Sequence, residues 1–178
     1  MDYREKAYDV FRMFDKDWGL VTAGTPEDFN SCTVSWGSLG TMWEEPGRAK
    51  STVTIYIHPD RYTSEFLKRS EQFTLSFFPK ENKKALGYMG SHSGRDGDKA
   101  AAAGLTPIVM KNTVGYEEAD LTFVCRKIYQ HQFSREDIAA DVQDYYASNP
   151  DDYPDGKGGW QPHIVFIGEI LEVIDKRG

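Results

Sequence analysis

Residues 52–67 read TVTIYIHPDRYTSEFL and pass from one structural pattern to another. The first seven residues are rich in β-branched side chains, which is typical of a strand. A Pro-containing turn follows, and the remaining residues indicate the start of a helix. The first N–H groups of a helix lack partners within it, so a start carrying Arg61 and Thr63 suits an anion such as phosphate. Capping of the helix is an equally good role for Asp60 or Thr63.

A second short segment, SHSGRDGDK at residues 91–99, also has a composition suited to anions. Backbone N–H groups freed by Gly94 and Gly97 can turn inward as an anion nest, while Arg95 and Lys99 add positive charge. A solvated surface turn is the more common role of such a loop. The presence of both segments in one chain favours the anion-binding interpretation.

The rest of the chain is dominated by short strand patterns with a few helices between them. Strands are predicted at residues 18–23, 29–36, 52–58, 72–78, 108–110, 113–116, 120–133 and 163–174, and helices at residues 3–15, 82–89 and 98–103. The last of these helices ends at Gly104, a residue that commonly follows a helix. Strand and helix do not alternate regularly, so the pattern predicts a mainly β protein with inserted helices, and a β-barrel rather than a doubly wound sheet.

The composition limits the class of protein. The chain has 178 residues, 28 of them acidic and 21 basic, and 39% of them hydrophobic. This length predicts a single domain over residues 1–178, and the net charge of −7 disfavours nucleic acid as a partner. Cys32 and Cys125 stand apart in apolar runs, which indicates reduced thiols and a cytoplasmic protein. No apolar run is long enough to cross a membrane.

An acidic helix-loop insertion is predicted at about residues 134–162. Ser134 and Asp137 resemble a capping box at the start of a helix that has Ile138, Val142 and Tyr145 on one face. The Pro- and Gly-rich loop that follows is expected to be mobile. Its aromatic side chains could fold over a ligand, although an exposed loop with two anchoring aromatic residues is the more common arrangement.

Several motifs of well-known catalytic sites are missing from the sequence. It has no G-x-G-x-x-G, no Walker loop and no nucleophile elbow, and its His and carboxylate residues do not have the spacing of a metal site. A built-in Rossmann site for a nicotinamide cofactor is therefore not supported, and no metal is predicted.

Four motifs, in this order, resemble those of the flavin reductase-like, FMN-binding split-barrel family. They are DFNSCTVSWG at residues 28–37, PDRYT at residues 59–63, SGRDGDK at residues 93–99 and HIVFIGE at residues 163–169. The similarity is greatest to the flavoredoxin branch and covers nearly the whole chain, roughly from Phe14 to Val173. It implies a six-stranded Greek-key split barrel, usually a homodimer, with FMN held noncovalently near the subunit interface.

The resemblance also implies roles for particular residues. Thr33, Val34, Ser35, Trp36 and Gly37 would lie along the flavin ring and ribityl chain, Arg61, Tyr62 and Thr63 would meet the phosphate, and Ser91, Ser93, Gly94 and Lys99 would close the site from the other side. These residues suit FMN, because an arginine can bind the phosphate bidentately while Lys99 acts as a mobile point charge. Packing in the core is an equally good role for Trp36.

His163 is the candidate catalytic residue, since the family often has a histidine at the start of its last long strand. It could position a nicotinamide or a proton, although a lone histidine at a strand start is more often structural. The function implied is an FMN-dependent oxidoreductase that takes hydride from NADH or NADPH and passes electrons to free flavin or another small acceptor. Two alternatives are a carrier that exchanges electrons with a redox protein partner and a protein that holds flavin without turnover.

Overall fold

The computed structural model describes residues 2–177, which form a main antiparallel sheet of seven strands and a separate two-stranded ribbon. The strands are β1 (Gly19–Thr25), β2 (Asp28–Val34), β3 (Gly37–Glu45), β4 (Arg48–Ile57), β5 (Gln72–Phe77), β6 (Pro107–Met110), β7 (Thr113–Tyr116), β8 (Leu121–Gln132) and β9 (Ile164–Asp175). The order in the main sheet is β2-β1-β5-β8-β9-β4-β3, and β6 pairs with β7.

Short helices connect the strands. They are α1 (Val10–Arg12), α2 (Tyr62–Arg69), α3 (Lys83–Ser91), α4 (Lys99–Ala103) and α5 (Ala140–Ser148), with a π-helical turn at Met13–Asp17 and 3-10 turns at Tyr3–Glu5, Lys80–Asn82 and Arg135–Asp137. Gly104 follows α4 in the left-handed conformation, as predicted. No helix in the described part of the chain is both long and apolar enough to span a membrane.

The sheet curls around one core because apolar side chains from distant strands meet inside it. Val21 of β1, Ile55 of β4, Phe73 of β5, Phe123 of β8 and Phe166 of β9 are all at most 1% exposed and belong to one packed cluster. Strand β2 adds buried side chains to the same cluster, whereas β3 contributes only a half-buried leucine. Six strands therefore enclose the core, and β3 extends the sheet beyond it.

The prediction of a mainly β protein with inserted helices is confirmed. The main sheet has seven strands where six were expected, and the extra strand β3 was not predicted. Nearly all of β3 is exposed, so it lacks the alternation of apolar and polar residues that identifies a half-buried strand. Its pairing with β4 also shifts register between Met42 and Glu44.

The prediction of one helix over residues 3–15 is wrong. The Asp2 side chain caps a 3-10 turn that ends at Lys6, which is extended. The Asp9 side chain then accepts a hydrogen bond from the backbone N–H of Arg12 and starts a second helix. The apolar spacing was correctly recognised, but two aspartates that favour helix starts divide the segment.

The insertion contains a helix, but its predicted start is also wrong. Ser134 precedes only a 3-10 turn, and α5 begins at Ala140 without a side-chain cap. Ile138 therefore lies before α5, and Val142 and Tyr145 are 40% and 56% exposed. Helix α5 buries no residue completely, so its position depends on the loop that follows.

We expect Gly37→Ala to destabilise the fold by about 2 kcal/mol, because over-packing of a rigid site has costs of this order. A Cβ at Gly37 would overlap the ring of Phe14 and lie 2.8 Å from the backbone oxygen of Thr54. Gly40→Ala on the same strand is the matched control, since a Cβ there meets no atom within 4 Å. Urea unfolding of both variants measures the difference, and equal midpoints would contradict the prediction.

Candidate functional site

A cavity of about 320 Å³ lies where β2 ends, β4 ends and β9 begins. Its lining comprises Cys32, Thr33, Val34, Ser35, Trp36, Tyr56, Ile57, His58, Asp60, Arg61, Asp152, Tyr153, Pro154 and His163. We call it the main cavity. It brings together three of the four sequence motifs, contributed by residues far apart in the chain, and one wall comes from the insertion.

The link between β2 and β3 forms one side of the main cavity. Val34 is the last residue of β2 to pair with β1, and Gly37 is the first residue of β3 to pair with β4. Ser35 and Trp36 therefore lie between the paired segments, and their backbone N–H groups are not part of either ladder. The Thr33 hydroxyl donates to the backbone oxygen of Leu86 at 2.6 Å, which holds α3 against β2.

Arg61 provides the positive charge at the main cavity. It immediately precedes α2, and its guanidinium donates one hydrogen bond to the backbone oxygen of Gly90 at 2.6 Å. A guanidinium has five N–H donors, so others are left for a ligand. The N–H groups of the first turn of α2 start at the same place, which makes this side of the cavity suited to an anion.

Four rings form the wall on the other side. The ring centroid of His163 lies 4.4 Å from that of Tyr153, 4.7 Å from that of Trp36 and 5.4 Å from that of His58. Tyr153 also lies 5.4 Å from His58, so the four rings are in mutual contact. Trp36 remains 41% exposed, so it borders the cavity and is not a core residue.

Burial controls the charge of this wall. Together with the neighbouring His58 and Arg61, it lowers the pKa of His163 to about 4. Burial also lowers the pKa of His58, although the Asp60 carboxylate opposes this. Both imidazoles are therefore neutral at neutral pH. Burial and Tyr146 raise the pKa of Tyr153 to about 12, so its phenol stays protonated.

One polar atom of this wall has no partner in the described residues. His58 is only 6% exposed, and its Nε2 makes no hydrogen bond in the described part of the chain. A buried polar atom without a partner is costly, so a hydrogen-bonding ligand at this point would lower the free energy. Although His58 lies in a turn, it is not solvated, because Tyr153 of the insertion covers it.

The other predicted site residues lie elsewhere. Tyr62, Gly94 and Lys99 border a second cavity of about 320 Å³, together with Asn30 and Tyr116. Thr63 is fully buried, and its hydroxyl accepts a hydrogen bond from the Asn30 side chain at 2.7 Å. The Thr63 side chain therefore serves the core. Gly37 packs against Phe14 and is not among the residues that line the main cavity.

Lys99 is not the mobile charge that was predicted. It is 7% exposed, and its ammonium donates to the backbone oxygens of Met89 and His92, both at 3.1 Å. Burial lowers its pKa. Lys99 thus connects the start of α4 to the end of α3, a fixed position that the sequence did not reveal.

The loop at residues 91–99 is held by contacts of its own. The Ser91 hydroxyl donates to the backbone oxygen of Gly87 at 2.9 Å, and the Ser93 hydroxyl accepts from the backbone N–H of Arg95 at 3.2 Å. Arg95 pairs with Glu65 and stacks over Tyr62. The Asp98 side chain caps α4 by accepting a hydrogen bond from the backbone N–H of Ala101 at 3.0 Å. Ser91, Ser93 and Arg95 of the predicted anion-binding loop are therefore already engaged in contacts within the protein.

Sequence reasoning did not assign Tyr56 to the site, and it considered the aromatic residues of the insertion loop without singling out Tyr153. Tyr56 lies two residues before His58, and alternation along a strand places both on the same face. That signal was available once the strand was recognised. Tyr153 reaches the cavity from the insertion, and no local pattern indicates which strand ends it will meet.

The fold and the cavity together define a class: a curled antiparallel barrel with an anion-suited, aromatic-walled cavity at one end. The flavin reductase-like domain model matches residues 11–177. The chain therefore belongs to the flavin reductase-like domain family, and the split-barrel resemblance is confirmed.

Solved structures with the same fold are known from several organisms. An FMN-binding protein of Thermus thermophilus, solved with bound 1-cyclohex-2-enone, is 20% identical with a TM-score of 0.66. The match covers 100% of this chain and 82% of the Thermus chain. Flavoredoxin of Desulfovibrio vulgaris (Miyazaki F) is 20% identical with a TM-score of 0.62, covering 99% and 78%. The NADH:FAD oxidoreductase SgcE6 of Streptomyces globisporus C-1027 is 14% identical with a TM-score of 0.59, covering 88% and 74%. No curated protein gives a significant match.

Between pH 6.5 and pH 4, we expect protonation of His163 to favour the unfolded chain. The folded state holds this pKa at about 4, below the usual value near 6.5, so the unfolded chain binds a proton that the folded chain does not. Stability should fall as the pH drops through this window, by roughly 3 kcal/mol, and level off below it.

Urea unfolding at a series of pH values measures this effect. His163→Gln should lose that part of the pH dependence, whereas His131→Gln, at an exposed position, should keep it. Identical pH profiles for the wild type and His163→Gln would mean that His163 is not held neutral by the fold.

Proposed function

We propose that this chain is an FMN-dependent oxidoreductase that takes hydride from NADH or NADPH and delivers electrons to free flavin or another small acceptor. The observation that carries the proposal is the main cavity, which combines a cationic end at Arg61 with a wall of neutral rings around His163. A phosphorylated aromatic cofactor has the matching halves, an anion and a flat ring. Family membership and FMN-binding neighbours support FMN as that cofactor.

The residues present fit such a cofactor. The free donors of Arg61 and the first turn of α2 suit the phosphate. Ser35 and Trp36 have backbone N–H groups outside the ladders, and His58 has the unpartnered Nε2, so hydrogen bonds to the edge of a heteroaromatic ring are available. Thr33, Val34 and Tyr56 complete the lining.

When bound, FMN would supply the chemistry itself, accepting a hydride at N5 and passing electrons on. This chain's residues would bind and orient the ring, and the rings of Trp36 and Tyr153 would exclude water from one side. His163, kept neutral, has one ring nitrogen that donates and one that accepts. It would position the nicotinamide or hold a proton at that face.

The residues around Lys99 form a separate part of the proposal. Ser91, Ser93, Gly94 and Lys99 were predicted to close the site and Tyr62 to meet the phosphate. Tyr62, Gly94 and Lys99 border the second cavity together with Asn30. We propose that these residues act only near the phosphate of the bound FMN. Arg61 contacts Gly90, close to the start of this loop, and is the residue that links the two regions.

A carrier of electrons between proteins is the second candidate. Its support is the likeness to flavoredoxins and an exposed apolar strip on β3 and β8, formed by Met42, Trp43 and Tyr129, which are 40%, 50% and 43% exposed.

The same strip suits a second copy of the chain, and we propose the homodimer that the family resemblance implies. Sedimentation velocity distinguishes one chain of 20.2 kDa from two. The two free cysteines support a cytoplasmic location.

We expect Arg61→Ala to weaken FMN binding by about 2 kcal/mol, or about 30-fold, because a charge-assisted hydrogen bond is lost. Titration calorimetry with FMN measures the change. Arg69→Ala is the matched control, since Arg69 lies at the far end of α2 and pairs with Asp28 at 2.7 Å. Equal affinities of Arg61→Ala and wild type would remove Arg61 from the site.

Anaerobic mixing of FMN-loaded protein with NADH or NADPH tests the reaction. We expect the visible absorbance of the flavin to bleach rapidly with one of the nucleotides. His163→Gln should slow bleaching while leaving FMN affinity unchanged, since His163 is proposed to act on the nicotinamide side. A flavin that dithionite reduces but neither nucleotide does would favour the carrier, and the search would turn to its protein partner.

A further inference from the structure

A third cavity, of about 460 Å³, lies beneath the insertion at residues 134–162. We call it the insertion compartment. Its own walls come from Phe133, Ile138, Val142, Tyr146, Trp160 and Pro162. Its volume is within the range of about 300–1,000 Å³ typical of small-molecule sites.

Stacked rings hold the compartment in shape. Tyr146 of α5 lies 5.3 Å from Trp160 and 5.0 Å from Tyr153, measured between ring centroids. Trp160 is only 6% exposed, and Arg135 stacks over it at 4.9 Å. The insertion is therefore anchored by its aromatic residues, and α5 forms a wall although it buries none of its own residues completely.

The compartment adjoins the main cavity. Trp36, Tyr56, Tyr153 and His163 border both spaces. A molecule in the compartment would therefore lie next to the ring wall where the proposed function puts the flavin and its reaction partner. Because the two spaces adjoin, a ligand in the compartment could contact the same ring wall as a ligand in the main cavity.

Charge limits what can occupy the compartment. No lysine or arginine of the described residues lines it, and Asp137 is the only carboxylate that does. His163 is neutral at neutral pH because burial lowers its pKa to about 4. Arg135, which lies over Trp160, does not line the compartment and is paired with Asp155 at 3.6 Å. Anionic ligands, including the phosphates of a nicotinamide dinucleotide, would therefore meet no lining cation, whereas a neutral aromatic surface would meet matching walls.

We infer that the insertion compartment binds a neutral, flat compound of one or two aromatic rings, which is the small acceptor class of the proposed oxidoreductase. The identification of this compound as an electron acceptor rests on the proposed function, whereas its binding to the compartment does not. It assigns the insertion, which the barrel does not require, a role in substrate selection. Val142 and Ile138 border the compartment but not the main cavity, so substitutions at these positions test the compartment without changing the lining of the main cavity.

The test is titration calorimetry of FMN-loaded protein with 2-naphthol, a neutral two-ring probe. We expect saturable one-site binding that Val142→Gln weakens about fivefold, since a polar group would replace the methyl groups that contact the bound probe. Leu171→Gln is the matched control, because Leu171 is 41% exposed, as Val142 is at 40%, but lies on β9 outside the compartment. Naphthalene-2-sulfonate, the anionic analogue, should bind more weakly than 2-naphthol.

Three outcomes would overturn the inference. They are the absence of saturable binding, equal weakening by Val142→Gln and Leu171→Gln, and loss of dimerisation in Val142→Gln, which would make the compartment an interface with a second copy. Ile138→Gln provides an independent second variant. Failure of the proposed function shows separately, as absence of FMN binding, and 2-naphthol can then be titrated into the protein without FMN.

Discussion

The antiparallel pairing of β4 with β9 is the constraint on which the rest of the site depends. Ile55 pairs with Phe166, and Ile57 pairs with Ile164, so the end of β4 lies beside the start of β9. His58 follows Ile57 and His163 precedes Ile164, so this register places the two histidines side by side, and their ring centroids lie 5.4 Å apart. A slip of one residue would turn the buried isoleucines outward, so the packing of the core fixes the geometry of the site.

The second determinant of the site is the removal of water. Tyr153 and Trp36 cover the two histidines, and burial then keeps both imidazoles neutral. Arg61, by contrast, stays exposed beside them. The result is a cavity with one guanidinium at one end, where the Asp60 and Asp152 carboxylates also line it, and with a wall of neutral rings. This arrangement is produced by the placement of single residues and not by an excess of basic residues.

Much of this could be predicted from local pattern. The strand around Thr52 to Ile57, the helix start after Arg61 and the Gly104 helix end were recognised because each depends on residues within a few positions. Lys99 shows the limit of that reasoning. It lies in a loop whose composition suits an anion, but its ammonium donates to the backbone oxygens of Met89 in α3 and of His92 directly after α3. Only the packing of α4 against α3 reveals this. Strand β3 was missed for the related reason that an exposed edge strand carries no alternation.

The sequence by itself determined the class of the fold, the family and the candidate residues Thr33 to Trp36, Arg61 and His163, because these depend on local propensity and on motifs that can be read in order. Only the tertiary structure decided which of them share a cavity. It joined His163 to His58 and Tyr153, assigned Thr63 and Gly37 to packing, and placed the insertion beside the main cavity. Such contacts link residues distant along the chain, and they are set by strand register and by burial of side chains from several elements at once, which no local stretch of sequence contains.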